Sequence, residues 1–411
     1  MDQYLFEGLK VIDAATVIAG PAAAMMMADF GADVIKIEEP RRGDMLRWLS
    51  NMPDTDPGGE NYMWQMDGRN KRSIGLDLKD PRGLKVMHEL IAQCDVFITN
   101  MPYPSRESFK LSYDDVKPSN PNLIYASLTA YGELGEERDR KGFDQLAYWA
   151  RSGLMDLMRE PGTLPTQGLP GMGDHPTAVS IYAGIVTALL KRERTGEGSF
   201  VQTSLLANGL WSISATAQGV MAGGDMQQSR AATERPGFSF LVYQAKDGRW
   251  LQFNMVRNEE LMNLAFTAMD ATDLLVDERF KTPRSMYQHR EAVGERIQAI
   301  ISTKSSDEWL AIFAEFDVPI NRIGIVEETP TDSQILLNRM VSKPKDPGIE
   351  IPLVVNHPVQ VSGVNHVKMK LAPELGEHSR EVLNELGYET SIIDEFMADG
   401  VVVEPESVES N

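Results

Sequence analysis

Leu9-Lys10-Val11-Ile12-Asp13-Ala14, the Ala- and Met-rich run from Ala22 to Phe30, and Ala32-Asp33-Val34-Ile35-Lys36-Ile37-Glu38 read in order as strand, helix and strand. Thr16 to Pro21 reads as the turn after the first strand, and Gly31 as the stop after the helix. Such a βαβ unit implies parallel strands and a right-handed crossover. The pattern recurs. A helix over Pro81–Gln93 leads into a strand over Asp95–Asn100, and Asn122–Leu128 is a further strand. The fold class is therefore α/β with a parallel sheet, which binds ligands at the carboxyl ends of its strands. The loops after Ala14, Glu38, Asn100 and Leu128 are the places to look, above all Val17-Ile18-Ala19-Gly20-Pro21 and Asn100-Met101-Pro102-Tyr103.

A second stretch carries the chemistry: Gly168-Leu169-Pro170-Gly171-Met172-Gly173-Asp174-His175-Pro176-Thr177, followed by a helical run to about Leu190. Three glycines frame a single carboxylate and allow close backbone approach. Asp174 falls at the first turn of the helix, where unpaired N–H groups and the dipole would keep it ionised. An ionised carboxylate there can be an N-cap or a nucleophile. His175 is adjacent, but a helix points neighbouring side chains apart.

The 411 residues suggest two domains. The net charge of −20 argues against a nucleic-acid or anionic-membrane partner. The sequence shows no spanning apolar run and no signal-peptide pattern, and Cys94 is its single cysteine, which points to a cytoplasmic protein without disulfides. Basic residues nevertheless gather on loops: Arg41, Arg42 and Arg47; Arg69, Lys71 and Arg72; Arg106 and Lys110; Arg138, Arg140 and Lys141. Each cluster could be a solvated face, or together they could hold a polyanion such as a phosphorylated cofactor. A nicotinamide cofactor with Glu38 on its ribose is the rival, but no G-x-G-x-x-G follows the first strand. Metal-ligand spacings, a Walker A sequence and a G-x-S-x-G elbow are absent, so no metal site is expected. His88, His357 and His366 read as structural or exposed.

Beyond Asp174, Ser199 to Leu205 reads as a strand and Leu205 to Val220 as one long helix. Phe238 to Ala245, Asp247-Gly248 and Trp250 to Met255 read as a hairpin, with helices over Glu259–Met269, Glu291–Ser302 and Ser306–Phe316. Pro319 to Val326 reads as a strand, Asp332 to Arg339 as a helix, Lys343 to Pro358 as irregular, and Ser379 to Leu386 as a helix. The polar tail from Glu404 is expected to be disordered. The division is a large domain over 1–222, a linker over 223–236, a small α+β domain over 237–318, and a segment over 319–411 returning to the large domain.

The chain resembles the family III CoA-transferases, the CaiB/BaiF family. The matching pieces are Leu9 to Pro21, Gly31 to Glu38, Asn70 to Leu78, Asp95 to Asn100, Gly142-Phe143-Asp144, Gly171 to His175, Thr195 to Gly198 and Leu375 to His378. The resemblance implies a Rossmann-like large domain, a smaller domain and an interlocked homodimer. It implies coenzyme A and acyl-CoA as substrates, with no permanently bound cofactor and a free carboxylic acid as the other partner. Asp174 matches the aspartate that attacks the thioester, giving a mixed anhydride and then an aspartyl-CoA thioester. Val17, Ile18, Ala19, Asn100, Met101 and Lys141 match CoA contacts. Arg106 lies near a family arginine, and Arg41, Lys71 and Arg72 are further basic candidates for the cofactor. Asp144 matches an acid beside the nucleophile, and the N–H groups of Gly171 and Gly173 could hold an oxyanion, with Phe143 and His175 beside the substrate.

The related racemases carry Gly-His-Asp where this chain has Gly142-Phe143-Asp144, so racemisation should be lost. The glycine-tetrad loop of the formyl- and oxalyl-CoA enzymes is absent between Gly223 and Lys246. The branch resembled most moves CoA between an enoyl- or arylacryloyl-CoA and a 2-hydroxy acid. Phe143, Tyr148 and Trp149 would suit an apolar acyl group, or would be core. A CoA-binding protein without turnover is the non-enzymatic alternative.

Overall fold

Strands buried on both faces must be apolar at successive positions, and this is how the central sheet is built. In the computed structural model, which describes residues 4–49, 61–160, 162–226, 242–253, 259–346 and 348–405, the strands are β1 (Lys10–Ala14), β2 (Asp33–Glu38), β3 (Arg72–Leu76), β4 (Val96–Thr99), β5 (Ile124–Thr129) and β6 (Ser199–Ser204). Their order is β3-β2-β1-β4-β5-β6, and all five pairings are parallel. Ile12 lies opposite Ile35 on one side and Phe97 on the other, which fixes the register at the centre.

The two-residue period sends neighbouring side chains to opposite faces. Val11, Val34, Val96, Ile98 and Ile124 meet the helices Ala19–Asp29 and Asp174–Thr195. Ile12, Ile35, Ile74, Phe97 and Tyr125 meet the helix Pro81–Gln93 and two C-terminal helices, Ser379–Glu385 and Thr390–Ala398. Every residue of Ala19–Asp29 is buried, and its small side chains let it pack closely on Asp174–Thr195. That helix begins at Ala19, inside the turn expected over Thr16–Pro21. Pro21 sits in its first turn, where a missing N–H costs nothing.

The chain then returns. Strands β7 (Val242–Gln244), β8 (Trp250–Phe253) and β9 (Ile320–Arg322) form a separate antiparallel sheet, and β10 (Val341–Ser342) pairs with β11 (Val354–Val355). The last strand, β12 (Val402–Val403), joins the large sheet antiparallel to β3, with Val402 opposite Leu76. Two compact units result. The larger comprises residues up to Arg159, Leu164–Ala217 and those from Ser333 onward; the smaller comprises Glu160–Thr163 and Gln218–Asp332. The core of the smaller unit gathers Tyr243, Leu251 and Phe253 with Phe266, Ile297, Trp309 and Phe313.

Several boundaries differ from the sequence reading. The helix expected over Leu205–Val220 breaks at Ile213 into Leu205–Ser212 and Ser214–Met221. The strand expected over Pro319–Val326 is only the three residues of β9, and a 3₁₀ turn over Val326–Thr331 follows. Thr390–Ala398, β12 and the hairpin β10–β11 were not anticipated. Residues 227–241, covering most of the expected linker and the hairpin's start, lie outside the described residues, as do 254–258 and the tail from 406.

The return is fastened at Gly376. Its φ is +73°, and an added Cβ would stand 2.2 Å from the Val403 carbonyl oxygen, a backbone atom that cannot step aside. Gly387 has φ +86° with nothing within 4 Å. Urea denaturation of Gly376→Ala is expected to show a loss on the order of 3 kcal/mol, combining clash and left-handed backbone. Gly387→Ala should lose only about 1 kcal/mol, from backbone strain alone. Equal losses would mean that the contact with β12 carries no weight.

Candidate active site

The strand order reverses between β1 and β4, so the chains leaving their carboxyl ends diverge and open a crevice. A cavity of about 280 Å³ lies there, lined by Val17, Ile18 and Ala19 after β1 and by Asn100, Met101 and Tyr103 after β4. Arg106, Lys141, Phe143 and Asp174 complete much of its wall.

The loop after β1 is held in an unusual shape. Val17 has φ +70°, a left-handed conformation that a β-branched residue seldom adopts. The Asp44 carboxylate accepts the Val17 N–H at 3.0 Å, and Asn100 brackets Thr16, accepting its N–H at 2.9 Å and donating to its carbonyl at 2.8 Å. Asn100 therefore spends its amide on shaping the loop, although it also lines the cavity. Asp44 in turn sits 2.9 Å from the buried Lys36 ammonium, which holds its carboxyl below the usual range despite burial.

Asp174 is the first residue of the 22-residue helix Asp174–Thr195, whose N-cap, Gly173, has no side chain to cap it. The helix start alone does not set its charge, because burial and two neighbouring carboxylates oppose ionisation. Burial pushes its carboxyl up to about 7, the Asp144 and Asp67 carboxylates push the same way, and His175 pulls only partly back. The turn before it is built for close contact. Gly171 has φ +82°, and a Cβ on Gly173 would stand 2.6 Å from the Tyr148 ring. Trp149 packs as closely on Gly168. Tyr148 and Trp149 thus back the glycine turn.

Asp144 organises that turn. One oxygen accepts the N–H of Gln145 at 2.7 Å; the other accepts those of Gly171 at 3.0 Å and Gly173 at 3.3 Å. This corrects the expected oxyanion role of Gly171 and Gly173, because their donors are already committed. The donor left without an acceptor at the helix start is the backbone N–H of Asp174 itself. His175 closes the turn from the other side. Its Nδ1 lies 3.2 Å from the Gly171 carbonyl, and its Nε2 is 3.4 Å from an oxygen of the buried Asp67, an ion-pair distance with poor hydrogen-bond alignment. Burial opposes charge on this ring, but Asp67 outweighs it and raises the His175 pKa. Asp67 had no signal in the sequence; only the packing of its helix, Tyr62–Gly68, brings it here.

The other basic candidates fare differently. Lys71 is buried, with Nζ bonded to Asp13 at 2.9 Å and to the Pro21 carbonyl at 2.7 Å, so it faces no ligand. Arg72 is occupied by Asp33, Glu381 and Glu385 at the sheet edge. Arg41 is exposed and outside the cavity wall. Arg106 lines the cavity but is only 2 % exposed, donating to the Met101 carbonyl at 2.6 Å and lying 3.5 Å from Glu133. Lys141 is exposed in the wall without an ion pair among the described residues. Arg138, over the Tyr103 ring at 4.4 Å, is a wall cation beside it. Glu38 is excluded as a ribose ligand, since Arg47 and Ser73 hold it. The described residues hold no group of three or more metal-ligating side chains, and no helix among them is long and apolar enough to cross a membrane.

Comparison with known proteins places this geometry. The sequence model of the family described as CoA-transferase family III matches residues 6–379. The chain is 32% identical over 401 residues to (R)-2-hydroxy-4-methylpentanoate CoA-transferase of Clostridioides difficile, covering 97% of this chain and 99% of that protein. It is 32% identical over 403 residues to cinnamoyl-CoA:phenyllactate CoA-transferase of Clostridium sporogenes, covering 96% of each. Among solved structures, a CaiB/BaiF family protein from Brucella suis matches with a TM-score of 0.79 at 27% identity, over 93% of this chain and 100% of that one.

The raised Asp174 pKa has a stability signature. The folded state holds its proton up to about pH 7, whereas the unfolded state releases it near 3.8. The stability this proton contributes is complete below about pH 4 and is lost as pH rises through 7. Asp174→Asn should therefore match the natural protein in urea at pH 4 and exceed it increasingly up to pH 8. A difference that is flat with pH would contradict the raised value.

Proposed function

The chain belongs to CoA-transferase family III, and from that premise we propose that it moves CoA from an acyl-CoA to a free 2-hydroxy carboxylic acid through covalent intermediates on Asp174. The observation that carries this is the placing of Asp174, a carboxylate with a pKa near 7 in the wall of the switch-point cavity. The only other wall carboxylate, Asp139, is exposed and paired with Arg138 at 3.4 Å.

The steps follow from that carboxylate. Asp174 attacks the thioester carbonyl and CoA thiolate leaves, giving a mixed anhydride. The thiolate then attacks the Asp174 acyl carbon, releasing the first acid and leaving an aspartyl-CoA thioester. The second acid attacks this thioester, and CoA finally returns to the new acyl group, regenerating Asp174. A carboxylate suits both halves, because it is nucleophile first and activated acyl group afterwards. Burial favours the first step, since a poorly solvated anion attacks more readily than a hydrated one. The unpartnered N–H of Asp174 lies at the reacting carboxylate, and the His175 ring, paired with Asp67, adjoins it.

The relatives named for 2-hydroxy acids support the acceptor class, and Phe143, 55% exposed and in the wall, supports an apolar acyl group. Racemisation has no support here, because Phe143 cannot move a proton. A second copy of the chain is part of the proposal. Trp211 is 77% exposed and Leu337 79% exposed, apolar surface that a homodimer would cover. The cytoplasm is the proposed location.

Brief incubation with acyl-CoA and hydroxylamine, followed by peptide mapping, tests the intermediate. A hydroxamate confined to the peptide carrying Asp174 is expected, and Asp174→Asn should give none and turn over no acyl-CoA. Full activity in that variant would remove Asp174 as nucleophile. Lys141→Glu is expected to raise KM for the CoA ester at least fivefold, with about 1 kcal/mol lost, and to leave KM for the free acid unchanged. An unchanged CoA-ester KM would take Lys141 out of the site.

A further inference from the structure

The helix Ala19–Asp29 has a cavity at each end. Ala19 lines the one containing Asp174; Asp29 lines another, of about 370 Å³, whose walls lie wholly in the larger unit. An 11-residue helix rising 1.5 Å per residue sets them about 15 Å apart along its axis, and they share no lining residue. Nothing in the chemistry at Asp174 uses the second cavity.

Its charge is lopsided. Arg339, Lys343, Lys345 and Lys368 stand exposed in its walls, and none forms an ion pair among the described residues. Asp29 is the one carboxylate in the lining, and it is already engaged. Arg69 lies 2.7 Å from one oxygen, and Asn70 donates to the other at 2.7 Å. Four uncompensated cations around one concavity form a strongly positive spot on a chain of net charge −20.

A second, independent feature lies in the same wall. His357 is 7% exposed, and neither ring nitrogen has a hydrogen-bond partner; its Nε2 stands 3.8 Å from Asp29, too far for one. A buried polar group without a partner costs about 1–3 kcal/mol unless something fills the place. Burial pushes this ring down to about 4 and holds the neighbouring His366 low as well, so both are neutral at physiological pH. The positive charge of the wall therefore comes from the Arg and Lys residues, with the His357 ring packed neutral beneath them.

We propose that this cavity binds the diphosphate group of a small phosphorylated ligand, with Arg339, Lys343, Lys345 and Lys368 on its oxygens. A terminal diphosphate carries about −3 at neutral pH, and the nucleotide end of CoA about −4 over its bridging diphosphate and 3′-phosphate, charges that four cations balance. A free nucleoside diphosphate and the nucleotide end of CoA both present this group. Binding there would report nucleotide or cofactor level at a distance from the transfer site.

Calorimetric titration of the full chain with pyrophosphate, ADP and CoA tests this, using the natural protein and Lys343→Gln/Lys368→Gln. Both lysines are exposed, so the variant should fold, and retention of one CoA equivalent within twofold of the natural affinity checks that it has. Pyrophosphate is expected to bind once per chain and to weaken at least tenfold in the variant. A matching loss for ADP alone identifies the free nucleotide as the source; loss of a second CoA equivalent identifies the cofactor. The proposal is overturned if pyrophosphate does not bind, if the variant binds it equally well, or if one equivalent of CoA displaces it. A variant with altered native mass but unchanged pyrophosphate binding would assign these cations to a contact between copies, and would also overturn it.

Discussion

A pair of ammonium groups buried among carboxylates at the centre of the sheet sets the position of everything above it. Lys36 reaches no solvent; its Nζ donates to the Ala15 carbonyl, lies 2.9 Å from Asp44 and stands 3.9 Å from Asp13. Lys71 bonds the other oxygen of Asp13 at 2.9 Å. Burying any one of these charges alone would cost several kcal/mol, and removing one partner from such a set typically costs about 3–5 kcal/mol. Burial works against charge on Lys36, but Asp13, Asp44 and Glu38 outweigh it and raise its pKa to about 12. Lys71 has fewer carboxylates near it, and burial lowers its pKa. The functional consequence runs through the remaining valences of these groups. Asp44 takes the Val17 N–H and Lys71 the Pro21 carbonyl, so both ends of the cavity loop are tied to interior charge.

The same economy governs Asp174, the proposed nucleophile. Asp144 shapes the glycine turn by accepting three backbone N–H groups, and its negative charge also helps hold Asp174 in the protonated range. One carboxylate therefore supplies both geometry and tuning, and the two cannot be varied independently. His175 and Asp67 complete the enclosure and add an opposing charge. The arrangement keeps Asp174 poorly solvated and close to neutrality, as suits the alternating role proposed for it.

Much of this was legible from the residues. Short apolar runs alternating with helical stretches gave the parallel strands, and the helix read over Pro81–Gln93 keeps both its bounds. The loops after Ala14 and Asn100 did converge, because the strand order reverses between them. What escaped the sequence depended on distant contacts. A βαβ pattern cannot say which residue will carry a Val at φ +70°, since that strain is sustained by Asp44, 27 residues away. Lys71 and Arg72 carry the charge expected of phosphate ligands, yet partners remote in sequence consume both. The three-residue β9 and two-residue β12 are too short to show periodicity, and they form because an edge or a partner strand awaits them.

The late arrival of β12 bears on how the protein is made. Until Val402 and Val403 leave the ribosome, the outer side of β3 presents unpaired backbone donors and acceptors. Roughly 330 residues separate the two strands, which at cellular translation speeds is on the order of half a minute. During that interval the nascent sheet is a template for any extended segment nearby, its own or a neighbouring chain's. Val402, wholly buried in the finished sheet, then closes the edge. Yield of native protein is thus a contest between elongation and misassociation, and occupancy by chaperones during synthesis becomes a determinant of how much active enzyme a cell obtains.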